Sequence, residues 1–125
     1  MINIDLATQK ITIHKGDTGS VSFQISGDTL EENDRVLFTI KNNRGVVVKQ
    51  EIVTPTNGEF SITFANADTC NLEVGSYSYD IRVLGNPVIA NGKVVSADTV
   101  DTPANAAKLE LLGVVGDVPA PVEAD

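Results

Sequence analysis

The sequence contains one cysteine, one histidine and no tryptophan. With Cys70 alone, no intrachain disulfide is possible, and we expect a buried, unreactive thiol. With His14 alone, metal sites built from several histidines are excluded, as is a Ser-His-Asp arrangement on any other histidine. Two tyrosines and four phenylalanines leave few aromatic platforms for a sugar. These shortages remove most familiar metal and cofactor sites, and we expect no cofactor.

Positive charge is scarce as well. Nine Lys and Arg residues face 17 Asp and Glu residues, which gives a net charge of −8. Nucleic acids and anionic membrane surfaces both select basic proteins, so neither is an expected partner. No run approaches the roughly 18 apolar residues of a membrane helix. The first residues have neither a basic segment nor an apolar core, so we expect no signal peptide and folding in a cytoplasm.

Alternation of apolar and polar residues is the main pattern present, and it marks seven short strands between residues 11 and 96. In the clearest of them, Tyr77, Tyr79, Ile81 and Val83 alternate with polar residues. Upstream, Leu72, Gly75 and Tyr77 match the L-x-x-G-x-Y spacing of a tyrosine corner, a feature of the penultimate strand of β-sandwiches. The sequence therefore predicts an all-β, seven-stranded immunoglobulin- or fibronectin-like sandwich over residues 1–96.

The other six predicted strands are short and separated by turn residues. We expect hairpin turns at 42–45 and 56–58, one helical turn within 65–69, and a short edge strand or arm near residues 2–6. Asn91 and Gly92 fall inside the last predicted strand, where they indicate a β-bulge. The six strands lie at residues 11–14, 20–26, 36–41, 46–53, 60–64 and 88–96.

Composition changes after residue 96. Residues 97–125 contain six acids and one lysine, a net charge of −5. Thr102 and Pro103 suit the start of a helix, residues 104–112 include helix formers, and Gly113 suits its end. We expect an acidic tail with a short helix that packs on this domain or on a neighbouring subunit. The predicted partner-binding residues are Leu109, Leu111, Leu112, Val114 and Val115.

One motif points to catalysis. Asp17, Thr18 and Gly19 form the D-T-G triplet of aspartic proteases, and a chain of this size fits the dimeric kind. That mechanism needs two rigidly held carboxylates that share a proton. Residues 14–16, however, are polar and turn-forming where a protease has a buried strand. A Gly-Asp-Thr-Gly turn between the first two strands is therefore the favoured interpretation, with the protease as a remote alternative.

Taken together, several segments resemble small virion proteins of tailed bacteriophages. The chain is similar to the N-terminal immunoglobulin-like domain of siphophage baseplate upper proteins and to related head or tail accessory proteins. Such baseplate proteins continue into a stalk or fibre, whereas this sequence ends in an acidic tail, so a head, neck, fibre-attachment or tail role is equally expected. The similarity covers residues 10–96, through residues 13–19, 21–23, 36–41, 60–64 with 67–68, and 72–81.

The resemblance implies a non-enzymatic structural protein of the virion. Its expected partners are other virion proteins and further copies of itself, contacted through sandwich edges, loops and termini. The expected location is the virion, assembled in the host cytoplasm. A cellular adhesion or ligand-binding module with the same sandwich is the main alternative.

Overall fold

The computed structural model describes residues 2–5, 9–24 and 32–113, and these are mostly β-strand. A single helical turn occurs among the described residues. The elements are β1 Ile2–Asp5, β2 Lys10–His14, β3 Gly19–Gln24, β4 Arg35–Lys41, β5 Val47–Val53, β6 Glu59–Phe64, α1 Asn66–Thr69, β7 Gly75–Gly85, β8 Val88–Ala90, β9 Lys93–Ser96 and β10 Thr99–Leu112.

The strands form one large sheet and two small ones. The large sheet has the order β1-β2-β10-β7-β4-β5, and the small ones are β3-β6 and β8-β9. Neighbours in the large sheet are antiparallel except β2 and β10, which run parallel, with Leu109 opposite Ile11 and Leu111 opposite Ile13. The inner face of the large sheet shares one apolar core with the β3-β6 sheet. The fold is therefore all-β and sandwich-like.

Aromatic rings fill the middle of this core. Phe38 and Tyr79, neighbours on β4 and β7, are fully buried, with ring centroids 5.4 Å apart. From the opposite sheet, Phe23 approaches both rings and stacks on Phe60 at 5.1 Å. Alternation along each strand brings these rings to one side. The predicted inner faces are confirmed for these strands.

Two tyrosine hydroxyls bond to backbone carbonyls. The Tyr77 hydroxyl donates to the carbonyl oxygen of Glu73 at 2.7 Å, four residues upstream. The Tyr79 hydroxyl donates to the carbonyl oxygen of Gln9, just before β2. Each bond satisfies the polar end of a ring that is otherwise buried. Together they connect β7 to the connection that precedes it and to the start of β2.

The predictions for residues 88–112 are wrong in two respects. Residues 88–96 form no core strand but an isolated hairpin, and Asn91 and Gly92 are its turn rather than a bulge. The helix expected over residues 104–112 is part of the 14-residue strand β10. Pairing with β7 on one side and β2 on the other outweighs helix propensity there, because it buries Leu109 and Leu111.

The outermost strand β5 carries an inward-pointing charge. The Lys49 side chain is 14% exposed, with its Nζ 3.2 Å from the Asp68 carboxylate and 3.7 Å from that of Glu51. The same ammonium lies 5.4 Å from the centre of the Phe64 ring, within the range of a cation–π contact. Lys49 thus ties the edge of the large sheet to α1 and to β6.

Tyr79 should make the fold sensitive to alkali. Burial raises its pKa to about 12. The folded pKa is above the unfolded value of about 10. The protonated Tyr79 hydroxyl therefore contributes fully to the unfolding free energy below pH ~10, and this contribution is lost as pH rises towards 12. We expect the unfolding free energy measured in urea to fall between about pH 10 and 12, and Tyr79→Phe to show a smaller fall. Equal losses in both proteins would contradict this assignment.

Candidate functional site

The hairpin β8–β9 is the main candidate contact site. Its strands pair only with each other among the described strands, and none of its residues belongs to the buried core. Asn91 and Gly92 make the turn with positive φ of 55° and 72°, the combination that matches the twist of a two-residue hairpin. A two-stranded hairpin alone is marginal in water, so the fold must hold this one at its base.

Backbone and amide groups provide that attachment. The N–H of Asp98 donates to the carbonyl oxygen of Gly85 at 2.8 Å, which closes the base of the hairpin. The Asn86 amide donates to the Asp98 carboxylate at 3.1 Å. The Asn86 N–H donates to the Asp34 carboxylate at 3.2 Å, just before β4. These bonds fix where the hairpin leaves the sandwich.

The hairpin exposes apolar side chains that the core does not use. We call Val88, Ile89, Val95 and the adjacent Val100 the hairpin surface. Their exposures run from 40% for Ile89 to 66% for Val95. Scattered exposed aliphatic residues are ordinary, but here three lie on one hairpin and the fourth, Val100, lies just after it at the start of β10. Grouped apolar exposure of this kind marks interaction sites. Chemically, this surface offers shape and apolar area rather than a reactive group.

A second surface lies at the opposite end of the sheet. A groove of about 280 Å³ runs between the β4–β5 turn and the segment that leads into β7. Asn42, Asn43 and Arg44 line one side of it, and Glu73 and Val74 line the other. The Asn42 side chain accepts the N–H groups of Arg44 and Val46, so the turn side is rigidly built. We call this feature the turn groove.

The predicted partner-binding residues separate into three groups. Leu109 and Leu111 are 3% and 0% exposed within the core of their own chain, so as surface contacts they are wrong. Leu112 is half-buried at the end of β10, where its carbonyl oxygen accepts the N–H of Lys15. Val114 and Val115 lie outside the described residues, and their role stays a prediction.

Asp17 lies in the turn between β2 and β3, as the favoured interpretation expects. Its N–H donates to the carbonyl oxygen of His14 at 3.0 Å. The one-turn helix α1 holds the preceding Gly16, whose φ is 84°. Thr69 Oγ1 accepts the Gly16 N–H, and the Asn66 amide donates to the Gly16 carbonyl, both at 2.8 Å. These contacts account for a fixed turn without reference to a shared proton.

The remaining residues singled out in the sequence are Cys70 and His14. Cys70 is buried beside α1, as expected, and His14 is half-buried at the end of β2. Within the described ranges, no three His, Cys, Asp or Glu side chains lie close enough together to bind a metal ion. No helix in that part of the chain has the length and apolarity to cross a membrane.

Comparison with known proteins adds no relative: no family model, no curated protein and no solved structure matches the chain.

The hairpin surface was missed from the sequence although a signal for it exists. The pair Asn91-Gly92 between two apolar runs is the strongest short-range sign of a hairpin. Because Asn91 and Gly92 were interpreted as a β-bulge, residues 88–96 were predicted to form one continuous strand. The exposure of its valines could not be predicted, because it depends on where the hairpin leaves the fold.

Proposed function

We propose that this chain is a non-enzymatic structural protein of a bacteriophage virion, which acts by contact with other virion proteins and with copies of itself. The proposal rests on the resemblance carried by residues 13–19, 36–41 and 72–81. The hairpin surface is the single observation that carries it furthest, since it presents apolar area on a projection that the fold does not need for its own core.

The finer fold assignment belongs to this proposal. We infer an immunoglobulin-like arrangement in which β7 is the penultimate strand and β10 the last strand of the sandwich. The bond from the Tyr77 hydroxyl to the Glu73 carbonyl has the form of a tyrosine corner. The parallel pair β2–β10 is consistent with a first strand that joins the sheet of the last one. Within this scheme the hairpin is an insertion between the last two strands.

The size of the hairpin surface suggests how it is used. Four partly exposed aliphatic side chains provide a few hundred Å² at most, whereas a stable two-protein interface needs about 800 Å² on each side. One hairpin contact is therefore weak alone. It gains strength where many copies are bound side by side, because each further contact is then intramolecular. A particle with repeated subunits supplies that setting.

The decisive experiment locates the protein. Particles purified by density gradient from the lysate that expresses this gene should contain the chain at several copies each, as measured by quantitative mass spectrometry. Recovery only in the soluble fraction would contradict the proposal. Binding to a host surface instead of to particles would favour the adhesion module.

The hairpin contact has its own prediction. Val88→Ser with Val95→Ser should raise the Kd for particles roughly 30-fold, the effect of about 2 kcal/mol at a central contact, and so lower occupancy at subsaturating concentration. Both side chains are exposed, so folding stability should change by less than about 0.5 kcal/mol each. The matched control is Val46→Ser with Val47→Ser, two exposed valines at the opposite end. Equal occupancy for the two variants would rule out the hairpin surface.

A further inference from the structure

The hairpin and the turn groove lie at opposite ends of one strand. β7 begins at Gly75, which lines the groove, and ends at Gly85, whose carbonyl oxygen closes the base of the hairpin. The 11 residues of β7 extend over about 33 Å, at about 3.3 Å per residue. The hairpin of one chain therefore cannot fill the groove of the same chain, whereas two copies placed end to end bring a hairpin to a groove.

The charges at the two ends favour such a contact. Residues 86–97, which include both hairpin strands and their turn, contain one lysine and no acid, in a chain with a net charge of −8. The charged residues that line the turn groove are Arg44 and Glu73, and their charges cancel. Two strongly acidic copies repel each other wherever their acidic surfaces meet. The hairpin and the groove together avoid that repulsion.

Lys93 and Glu73 are matched charges on these two ends. Lys93 directly follows the turn at the tip of the hairpin, and Glu73 lies on the side of the groove opposite Arg44. Both are exposed, and neither takes part in a salt bridge within the described part of the chain. An ammonium in the groove is attracted by Glu73 and repelled by Arg44. Lys93 of an incoming hairpin should therefore lie on the Glu73 side.

The tip of the hairpin suits the groove in polarity as well. The turn at residues 91–92 is exposed, and its peptide groups are strong hydrogen-bonding groups. The side-chain amides of Asn43 and Asn71 line the groove and can both donate and accept hydrogen bonds. At the rim, Val74 is 55% exposed and offers an apolar contact to Ile89, two residues before the turn. A polar tip with an apolar flank thus meets a polar groove with an apolar rim.

A protruding turn fits the groove better than a small molecule does. Small-molecule pockets usually have about 300–1,000 Å³ and mostly apolar walls. The turn groove has about 280 Å³, and its lining includes three asparagines, a serine and two charged residues. We propose that copies of this chain join head to tail, with the tip of one hairpin in the turn groove of the next copy and Lys93 paired with Glu73.

Such a contact is heterologous, because it joins two different surfaces of the same chain. Every added copy leaves a hairpin free at one end and a groove free at the other, so the copies form a row or a closed ring. Because the hairpin surface is small, the contact should be weak in solution and strong where copies are held side by side. The inference rests on the proposed function, since it names another copy of the chain as the partner of the hairpin surface.

Disulfide trapping between two full-length variants tests the contact. In a Cys70→Ala background, a chain with Ala90→Cys, beside the hairpin turn, is mixed with a chain that carries either Asn43→Cys, in the groove, or Thr18→Cys. Thr18 is the matched control because it is exposed in the β2–β3 turn, at the same end of the sheet as the groove but outside its lining. Each chain contributes one cysteine, so a mixed disulfide can only join two copies.

We expect the disulfide between positions 90 and 43 to form about tenfold faster than that between 90 and 18, because about 1.4 kcal/mol of docking gives a tenfold bias. Lys93→Glu in the hairpin chain should abolish this bias, and so should Glu73→Lys in the groove chain. Combining the two variants should restore the bias, since the charge pair is then reversed. Equal rates at the two positions would overturn the proposal, as would a bias that either single reversal leaves intact.

A second measurement keeps Cys70 and needs no engineered cysteine. In the full-length chain, the amide resonances of Asn43, Glu73 and Lys93 should shift together as the protein concentration rises, and Lys93→Glu should suppress the shifts at Asn43 and Glu73. Shifts confined to the hairpin would indicate contact between two hairpins and would overturn head-to-tail joining. Unmoved resonances at all three positions would overturn it even if the cysteine variants did not fold.

Both measurements use purified protein, so their outcome is separate from the recovery of the chain in particles. A chain that joins its copies but is absent from particles would contradict the virion role alone. A chain that is found in particles but shows no bias in trapping would contradict the head-to-tail contact alone.

Discussion

Replacing Phe38 with alanine should cost about 3–5 kcal/mol of unfolding free energy, measured by urea denaturation. Phe38 is fully buried on β4, a central strand, and its ring meets those of Tyr79 and Phe23. The total unfolding free energy of a small domain is only about 5–15 kcal/mol, so this single change removes a large part of the stability. The loss has two sources: apolar contacts disappear, and the surrounding rings cannot collapse fully into the space left.

Val95→Ala is the control for Phe38→Ala. Val95 is an apolar strand residue too, but it is 66% exposed on the hairpin. Val95→Ala should therefore lower the unfolding free energy by less than about 0.5 kcal/mol. A loss below about 1 kcal/mol for Phe38→Ala would mean that the aromatic rings do not form the core, and the sandwich would have to be rejected.

The second large effect is expected in β10. Leu111→Ala should cost about 2–5 kcal/mol, because Leu111 is fully buried between β7 and β2. Chemical denaturation monitored by tyrosine fluorescence is a suitable measurement, since Tyr77 lies opposite Leu109 on the neighbouring strand. A loss of this size would establish the C-terminal strand as part of the core rather than an appendage.

Val100→Ala is the matched change within the same strand. Val100 is 57% exposed, so the change should be close to neutral. If Leu111→Ala were as mild as Val100→Ala, β10 would be peripheral. The segment could then act as the intersubunit tail that its composition first indicated.

Most of the sandwich could be predicted because its signals are local. Phe60 and Tyr79 each stand between two polar neighbours, and Phe38 shares a period-two row with Val36 and Ile40. Period two assigns a side chain to one face whatever the rest of the chain does. The turn at residues 56–58 is similarly local: Asn57 and Gly58 both adopt positive φ, 53° and 78°. These elements needed no knowledge of distant contacts.

The fate of residues 99–112 depends on distant contacts instead. Ala104 to Leu112 contains helix formers, and nothing local reveals that β2 and β7 leave a position between them. The burial gained by Leu109 and Leu111 in that position is a property of the assembled sheet. Helix propensity is worth a few tenths of a kcal/mol per residue, whereas burying one leucine is worth about 2 kcal/mol. Burial of the two leucines therefore decides that this segment is a strand.

The candidate site likewise depends partly on local sequence signals and partly on distant contacts. The turn at Asn91 and Gly92 is visible in the sequence, but the direction in which it projects depends on the bonds from Asn86 to Asp34 and Asp98. The turn groove is less visible still, because its two sides come from separate connections. Only the folded sheet brings Arg44 and Val74 to the same opening.

The position of Lys49 limits how copies of this protein can join. A new strand laid along β5 would cover the ammonium and its two carboxylate neighbours, and water would be stripped from all three charges. Endless ribbon growth along that border is therefore unfavourable. Contacts between copies in the proposed virion role should therefore avoid the β5 edge.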